Sequence, residues 1–170
     1  MNYHVEVDDS SPLVELLNPV ASDRPYYALF GWAPGGTLAY EDVPGAQTPW
    51  EVIEGDTLTP DSPVTLEWDN GNGLVFRRTI SVDDDYMFTV DQSVENTTGE
   101  AVRLAPYGTV ARHGDMDLAG FFILHEGVVR MSDGELQELD YDDLPELDQV
   151  QREGGPADVI EVIENGWIGF

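Results

Sequence analysis

The sequence predicts an all-β protein, a meander or Greek-key sandwich of roughly ten or more short antiparallel strands with little helix. Three observations lead there. Residues 64–94 alternate apolar and polar side chains with the period of a half-buried strand. Clusters of Gly, Pro, Asn and Asp punctuate the chain at short intervals. No stretch long enough for a stable helix carries the helical period.

In chain order, residues 3–7 alternate as a short strand, and Asp8 to Pro12 read as a turn. Leu13, Val14, Leu16 and Leu17 form an apolar segment that Asn18-Pro19 closes, too short for a helix and so read as strand. Residues 26–32 are a dense aromatic strand, and 33–50, with Pro34, Gly35, Gly36, Pro44, Gly45 and Pro49, read as a long loop. Residues 50–58 allow one more short strand.

The central meander follows. Val64, Leu66 and Trp68 share one face of its first strand; Leu74, Phe76, Ile80 and Val82 share one face of its second. Tyr86, Phe88, Val90 and Val94 line its third. Asp69-Asn70-Gly71-Asn72-Gly73 accepts the positive φ of a tight hairpin, and Asp83-Asp84-Asp85 opposes helix and favours a turn. Each large apolar side chain contributes roughly 1.5–3 kcal/mol when fully buried, which makes the meander the expected nucleus of the core. Arg78 interrupts the apolar face of the second strand and is expected at its rim, its stem along apolar surface.

Glu95 to Glu100 is a turn; Asn96-Thr97-Thr98 matches the glycosylation acceptor pattern but is read as part of that turn. A strand runs over 102–105 and 107–112, with Pro106 marking a bulge or edge. Residues 121–125, 128–132 and 135–141 form a second meander, Gly127 breaking the first pair and Asp133-Gly134 closing the second. Residues 142–156 are expected to be a mobile acidic loop within a single domain spanning 1–170, and Val159 to Glu164 a further strand.

The charge is extreme: Asp and Glu number 34 against 7 basic residues, all arginine, for a net charge of −27. Such a surface repels phosphate backbones and anionic headgroups, so nucleic acid is excluded as a partner class. Self-repulsion at this charge opposes compaction. The melting temperature is therefore expected to rise from low salt to molar NaCl; an unchanged value would contradict this. With no cysteine there is no disulfide, thiol nucleophile or thiolate metal site. No apolar run has the length of a membrane span, and no signal peptide is evident. Both ends read as cut: the chain opens inside a strand pattern and closes within Asn165-Gly166-Trp167-Ile168-Gly169-Phe170, a hairpin signal and the start of its returning strand.

For chemistry, the histidines His4, His113 and His125 are the first candidates. Arg112-His113 stands where a strand leaves the sheet, and His125-Glu126 ends another. Convergence of Arg112, His113, His125 and Glu126 in a cleft would permit acid–base work on a sugar; scattered positions would make each a polar strand end, the reading the sequence favours. Asp115-Met116-Asp117 and Asp83–Asp85 lack a full calcium-loop pattern, and no zinc or nucleophile-elbow motif occurs. No catalytic residue, metal or cofactor is expected. Of the four tryptophans, Trp68 and Trp167 are expected in the core and Trp50 is expected to be the most exposed.

Several stretches together resemble the large periplasmic domain of YidC, the bacterial inner-membrane insertase. They are Leu74-Val75-Phe76-Arg77-Arg78-Thr79-Ile80, Asp84-Asp85-Tyr86-Met87-Phe88-Thr89-Val90, Val94-Glu95-Asn96, Phe121-Phe122-Ile123-Leu124-His125-Glu126-Gly127 and Gly166-Trp167-Ile168-Gly169-Phe170. Asp9-Ser10-Ser11-Pro12-Leu13-Val14 adds to the series, which looks closest to alphaproteobacterial members.

The resemblance implies a β-supersandwich similar to galactose-mutarotase-like domains, a periplasmic location and no enzymatic activity. It implies an accessory domain that contacts Sec-translocon auxiliary components, nascent membrane proteins or chaperones, broadly through residues 102–141. Two alternatives stand beside it. One is a carbohydrate-binding or mutarotase-like protein using His113 or His125 with a carboxylate such as Glu126. The other is a structural module that self-associates through an exposed edge strand.

Overall fold

The computed structural model describes residues 4, 8, 10–13, 17–113, 125, 127–132, 134–141 and 160–165. The chain folds as antiparallel sheet, as its alternation predicts. Nine strands are described: β1 (Tyr26–Gly35), β2 (Glu51–Glu54), β3 (Val64–Asp69), β4 (Leu74–Val82), β5 (Phe88–Asn96), β6 (Arg103–Arg112), β7 (Gly127–Ser132), β8 (Glu135–Asp140) and β9 (Ile160–Asn165). They form a ribbon β1-β6, a four-stranded sheet β2-β3-β4-β5 and a three-stranded sheet β8-β7-β9. Two compact units divide the chain, one of Ala28–Thr109 and one of Met1–Tyr27 with Val110–Phe170.

In the first unit, the expected meander is β3-β4-β5. Its β3–β4 hairpin closes because Asn70 Oδ1 accepts from the backbone N–H of Asn72 (2.8 Å) and Leu74 (3.1 Å), while Gly71 and Gly73 take φ of 73° and 92°. The aspartate run also turns the chain. Asp83 Oδ1 accepts from Asp85 N (2.9 Å) and Met87 N (2.8 Å). That turn extends further than predicted: Tyr86 adopts φ 65° and belongs to it, so β5 begins at Phe88.

The polar face of the sheet is held by cross-strand pairs, and it is not wet throughout, since Thr65 is buried at 6% exposure. Thr65 and Thr79 hydroxyls meet at 3.1 Å, and Arg77 reaches Glu67 on β3 (2.6 Å) and Glu95 on β5 (3.0 Å). Hydrogen bonds that Arg77 donates to those two carboxylates, Glu67 first, raise its pKa above the usual value. The opposite face builds the core. Phe76 is fully buried and Leu74 nearly so, with Trp32 from β1 and Val43 beside them; Trp68, Val94 and Leu104 pack around this group. Within this unit the β1-β6 ribbon thus covers the inner face of the four-stranded sheet, in sandwich fashion.

The region predicted as a loop over 33–50 contributes more than a crossing. β1 continues through Pro34 to Gly35, and a 3-10 turn spans Tyr40–Asp42. Asn70 Nδ2 donates to the Asp42 carbonyl (3.0 Å), which seats the turn, and Val43 enters the core at 5 % exposure. Pro34 and Pro106 lie within the two-stranded ribbon β1-β6, where each strand has a side outside the ribbon's own ladder and a residue without an N–H is tolerated. The Asn96-Thr97-Thr98 stretch is a turn as expected: Asn96 Oδ1 accepts from Thr98 N (3.0 Å) and Asn96 Nδ2 donates to the Glu100 carbonyl (2.7 Å).

In the second unit, the expected hairpin pairs β7 with β8, from Gly127↔Asp140 to Ser132↔Glu135, and β9 pairs with the other edge of β7. Gly127 is the first residue of β7. Asp8 forms the expected early turn, accepting from Ser10 N and Ser10 Oγ at 2.8 Å each, bonds that lower its pKa. The strand expected over 121–125 (His125 apart), the acidic segment 142–156 and Trp167 lie outside the described residues.

Candidate functional site

Arg112 and His113 stand at the end of β6, as the sequence indicates. There the Arg112 guanidinium lies over the Tyr26 ring, 5.3 Å from its centroid. His113 donates its backbone N–H to the Pro25 carbonyl (2.9 Å) and stacks on Tyr27, ring centroids 5.9 Å apart and planes at 19°. The Tyr27 hydroxyl lies 3.4 Å from His113 Nε2. The start of β1 and the end of β6 therefore clamp this imidazole against an aromatic face.

His125 is in a different setting. It is 7 % exposed, and its Nδ1 lies 2.9 Å from Asp140 Oδ1 at the end of β8. Its Nε2 is buried with no hydrogen-bond partner among the described residues. The contacts of His113 are with Tyr27 and Pro25; those of His125 are with Asp140. Glu126 lies outside the described residues. An imidazole that works as acid or base needs one nitrogen on the reacting atom and an orienting partner on the other. Asp140 supplies the orienting partner for His125, but the remaining nitrogen faces the interior.

Asp140 was legible as that partner in principle. Pairing the predicted strands 128–132 and 135–141 around Asp133-Gly134 sets Asp140 across from Gly127, two residues from His125. Tyr27 was not legible, since its contact with His113 spans 86 positions and no local pattern announces it.

Arg78 is a further polar group partly inside the sheets. Its Nη2 donates to the Phe30 carbonyl (2.7 Å) and approaches Gln92 Oε1 (3.4 Å). Its guanidinium lies 4.9 Å from the Trp50 centroid and 5.9 Å from that of Phe30. Burial pushes its pKa down. The expected rim position is thus a half-buried one. Trp50, expected to be the most exposed tryptophan, is half-buried beneath the cation and packs on the core. Replacing Arg78 by lysine keeps the charge but loses the planar guanidinium that lies over the Trp50 and Phe30 rings. A loss of about 1–2 kcal/mol is expected in urea unfolding.

Among the described residues no three His, Asp or Glu side chains gather as a metal site, and no helix is long and apolar enough to cross a membrane. These features define a class, an antiparallel β domain in which the described imidazoles are tied to neighbouring groups, His4 to the Ser11 carbonyl, His113 to Tyr27 and His125 to Asp140. The whole chain, residues 1–170, matches the YidC periplasmic domain family, and the chain belongs to that family; it is a periplasmic domain. It is 65% identical to the membrane protein insertase YidC of Jannaschia sp. (strain CCS1), a match covering 99% of this chain and 27% of that protein. The corresponding protein of Dinoroseobacter shibae is 60% identical over 99% of this chain and 28% of its own length. That of Ruegeria sp. (strain TM1040) is 58% identical with the same coverage, 99% and 28%. The chain therefore spans little more than a quarter of these relatives. No solved structure matches it.

Proposed function

We propose that this chain is a non-catalytic accessory domain of a membrane-protein insertase, which assists insertion and folding of inner-membrane proteins by touching other polypeptides. The observation that carries this reading is the match over all 170 residues to the periplasmic domain of relatives named as insertases. The charge fits it, since −27 repels nucleic acid and anionic lipid and leaves protein surfaces as the natural partners. The partners proposed are Sec-translocon auxiliary subunits and nascent membrane proteins, met in part through residues 102–141.

Photo-crosslinking from the exposed side chains Tyr107, Met131 and Leu136 in the full-length insertase tests this. Adducts to translocon auxiliary subunits or to nascent membrane proteins are expected. Their absence at all positions, with insertion unchanged when the domain is deleted, would overturn the reading.

The carbohydrate alternative needs an open imidazole nitrogen beside a carboxylate, and His125 Nε2 is buried. Interconversion of galactose anomers is accordingly expected at the uncatalysed rate, unchanged by His113→Ala or His125→Ala. Polarimetry above background that either substitution abolishes would restore an enzymatic reading.

A further inference from the structure

We infer that the free edge of β2 takes up an extended segment of a partner polypeptide with basic residues flanking an apolar pair, adding it to the sheet as a further strand. The inference rests on the interaction-domain reading above and gives the partner its chemistry.

β2 is the terminal strand of β2-β3-β4-β5 and, among the described residues, pairs only with β3. Among the described residues, 51–54 make no backbone hydrogen bond outside that ladder. All four side chains are exposed, Val52 at 58% and Ile53 at 48%. An edge strand with unused N–H and C=O groups is a template for pairing, and β-augmentation draws its affinity from such groups and its selectivity from the side chains alongside.

The side chains here choose between occupants. A second copy pairing antiparallel through Glu51-Val52-Ile53-Glu54 would set Glu51 opposite Glu54 at both ends, between chains of net charge −27. Like charges directly opposite are destabilising in a ladder. The register shift between Val52 and Glu54 and the short length of β2 also act against self-pairing. The same two carboxylates favour an incoming strand with Lys or Arg at both ends of a four-residue stretch. Its two central residues would then meet Val52 and Ile53, apolar side chains that a merely blunted edge would not carry.

The test uses the 170-residue chain and a fluorescein-labelled peptide centred on Lys-Val-Ile-Lys, followed by anisotropy at low salt. Saturable binding is expected, with a Glu-Val-Ile-Glu counterpart at least about tenfold weaker. N-methylation of alternate peptide nitrogens along one edge should weaken binding by about tenfold or more, because it removes ladder bonds without altering charge. Glu51→Lys with Glu54→Lys should invert the preference between the peptides, and both sites are exposed, so circular dichroism is expected to show the variant folded. Val52→Ser with Ile53→Ser should weaken binding at unchanged charge.

Four results would overturn the inference: no binding, equal binding of the N-methylated peptide, an unchanged preference in the charge-reversed variant, or concentration-dependent self-association that this variant abolishes. Crosslinks to translocon or nascent-chain partners elsewhere on the domain, together with a failed peptide titration, would remove the β2 site and leave the proposed function standing.

Discussion

Phe76→Ala is expected to cost about 3–5 kcal/mol, the range for truncating a fully buried phenylalanine. Phe76 is 0% exposed and lies between two tryptophans, 6.1 Å from the Trp32 ring and 5.7 Å from that of Trp68. Trp32 comes from β1 and Trp68 from β3, so the cavity would open where the ribbon meets the sheet. A domain of this size is stable by only about 5–15 kcal/mol, so the substitution removes a large share of the total. Urea is the denaturant to use, because guanidinium chloride would screen the self-repulsion of the chain and confound the comparison. Phe88→Ala is the control: at 39% exposure and the start of β5, it should cost about 1 kcal/mol or less. Equal midpoints for the two variants would mean that the core is not centred on Phe76.

The core strands were readable from sequence because one face of each is mostly apolar and the other mostly polar. The period of two in 64–68, 74–82 and 88–94 places Leu74 and Phe76 inward and Glu67 and Arg77 outward, as the structure has them. What escaped was apolar residues without a period. Val43 and Leu38 reach the core from a Pro- and Gly-rich stretch, where inward direction is set by a tertiary bond from Asn70 to Asp42 and by no local repeat. Trp50 escaped for a related reason. Its cover is Arg78, a residue that sequence alone places at a rim because burying a guanidinium is costly. Two aromatic faces and the Phe30 carbonyl offset that cost in a way only the fold reveals.

Polar candidates were less legible than the strands that carry them. Arg112 and His113 were placed correctly at a strand end, but their ring partners Tyr26 and Tyr27 come from a strand far away in sequence. Histidine at a strand end has the same appearance whether it is clamped, buried or poised for catalysis. The difference lies in which nitrogen finds a partner, and that depends on register across the sheet. For the free β2 edge the limit is sharper still, since a four-residue run with two glutamates is visible in sequence but its position at the margin of a sheet is not.

Gly127→Ala is the second large effect expected, and it falls in the unit that holds His125. A Cβ at Gly127 would stand 2.0 Å from the Leu139 carbonyl oxygen and 2.8 Å from Asp140 Cα. Both obstacles are backbone, so no rotamer change relieves the clash, and the open end of the β7–β8 pair must separate. Overpacking typically costs about 1–3 kcal/mol, and the upper part of that range is expected here. Gly45→Ala is the matched control, with nothing within 4 Å of the added methyl group and a backbone that any residue adopts. It should be neutral or stabilising by up to about 1 kcal/mol. Separation at Gly127 would also carry Asp140 away from His125, so faster exchange of the His125 Nδ1 proton is expected by NMR. A double-mutant cycle with Asp140→Ala reads the link directly. Once alanine at 127 has displaced the strand end, removing the carboxylate should cost little more. Fully additive losses would show that the glycine and the His125–Asp140 contact hold the hairpin independently, and a wild-type melting curve for Gly127→Ala would show that β8 does not lie against it.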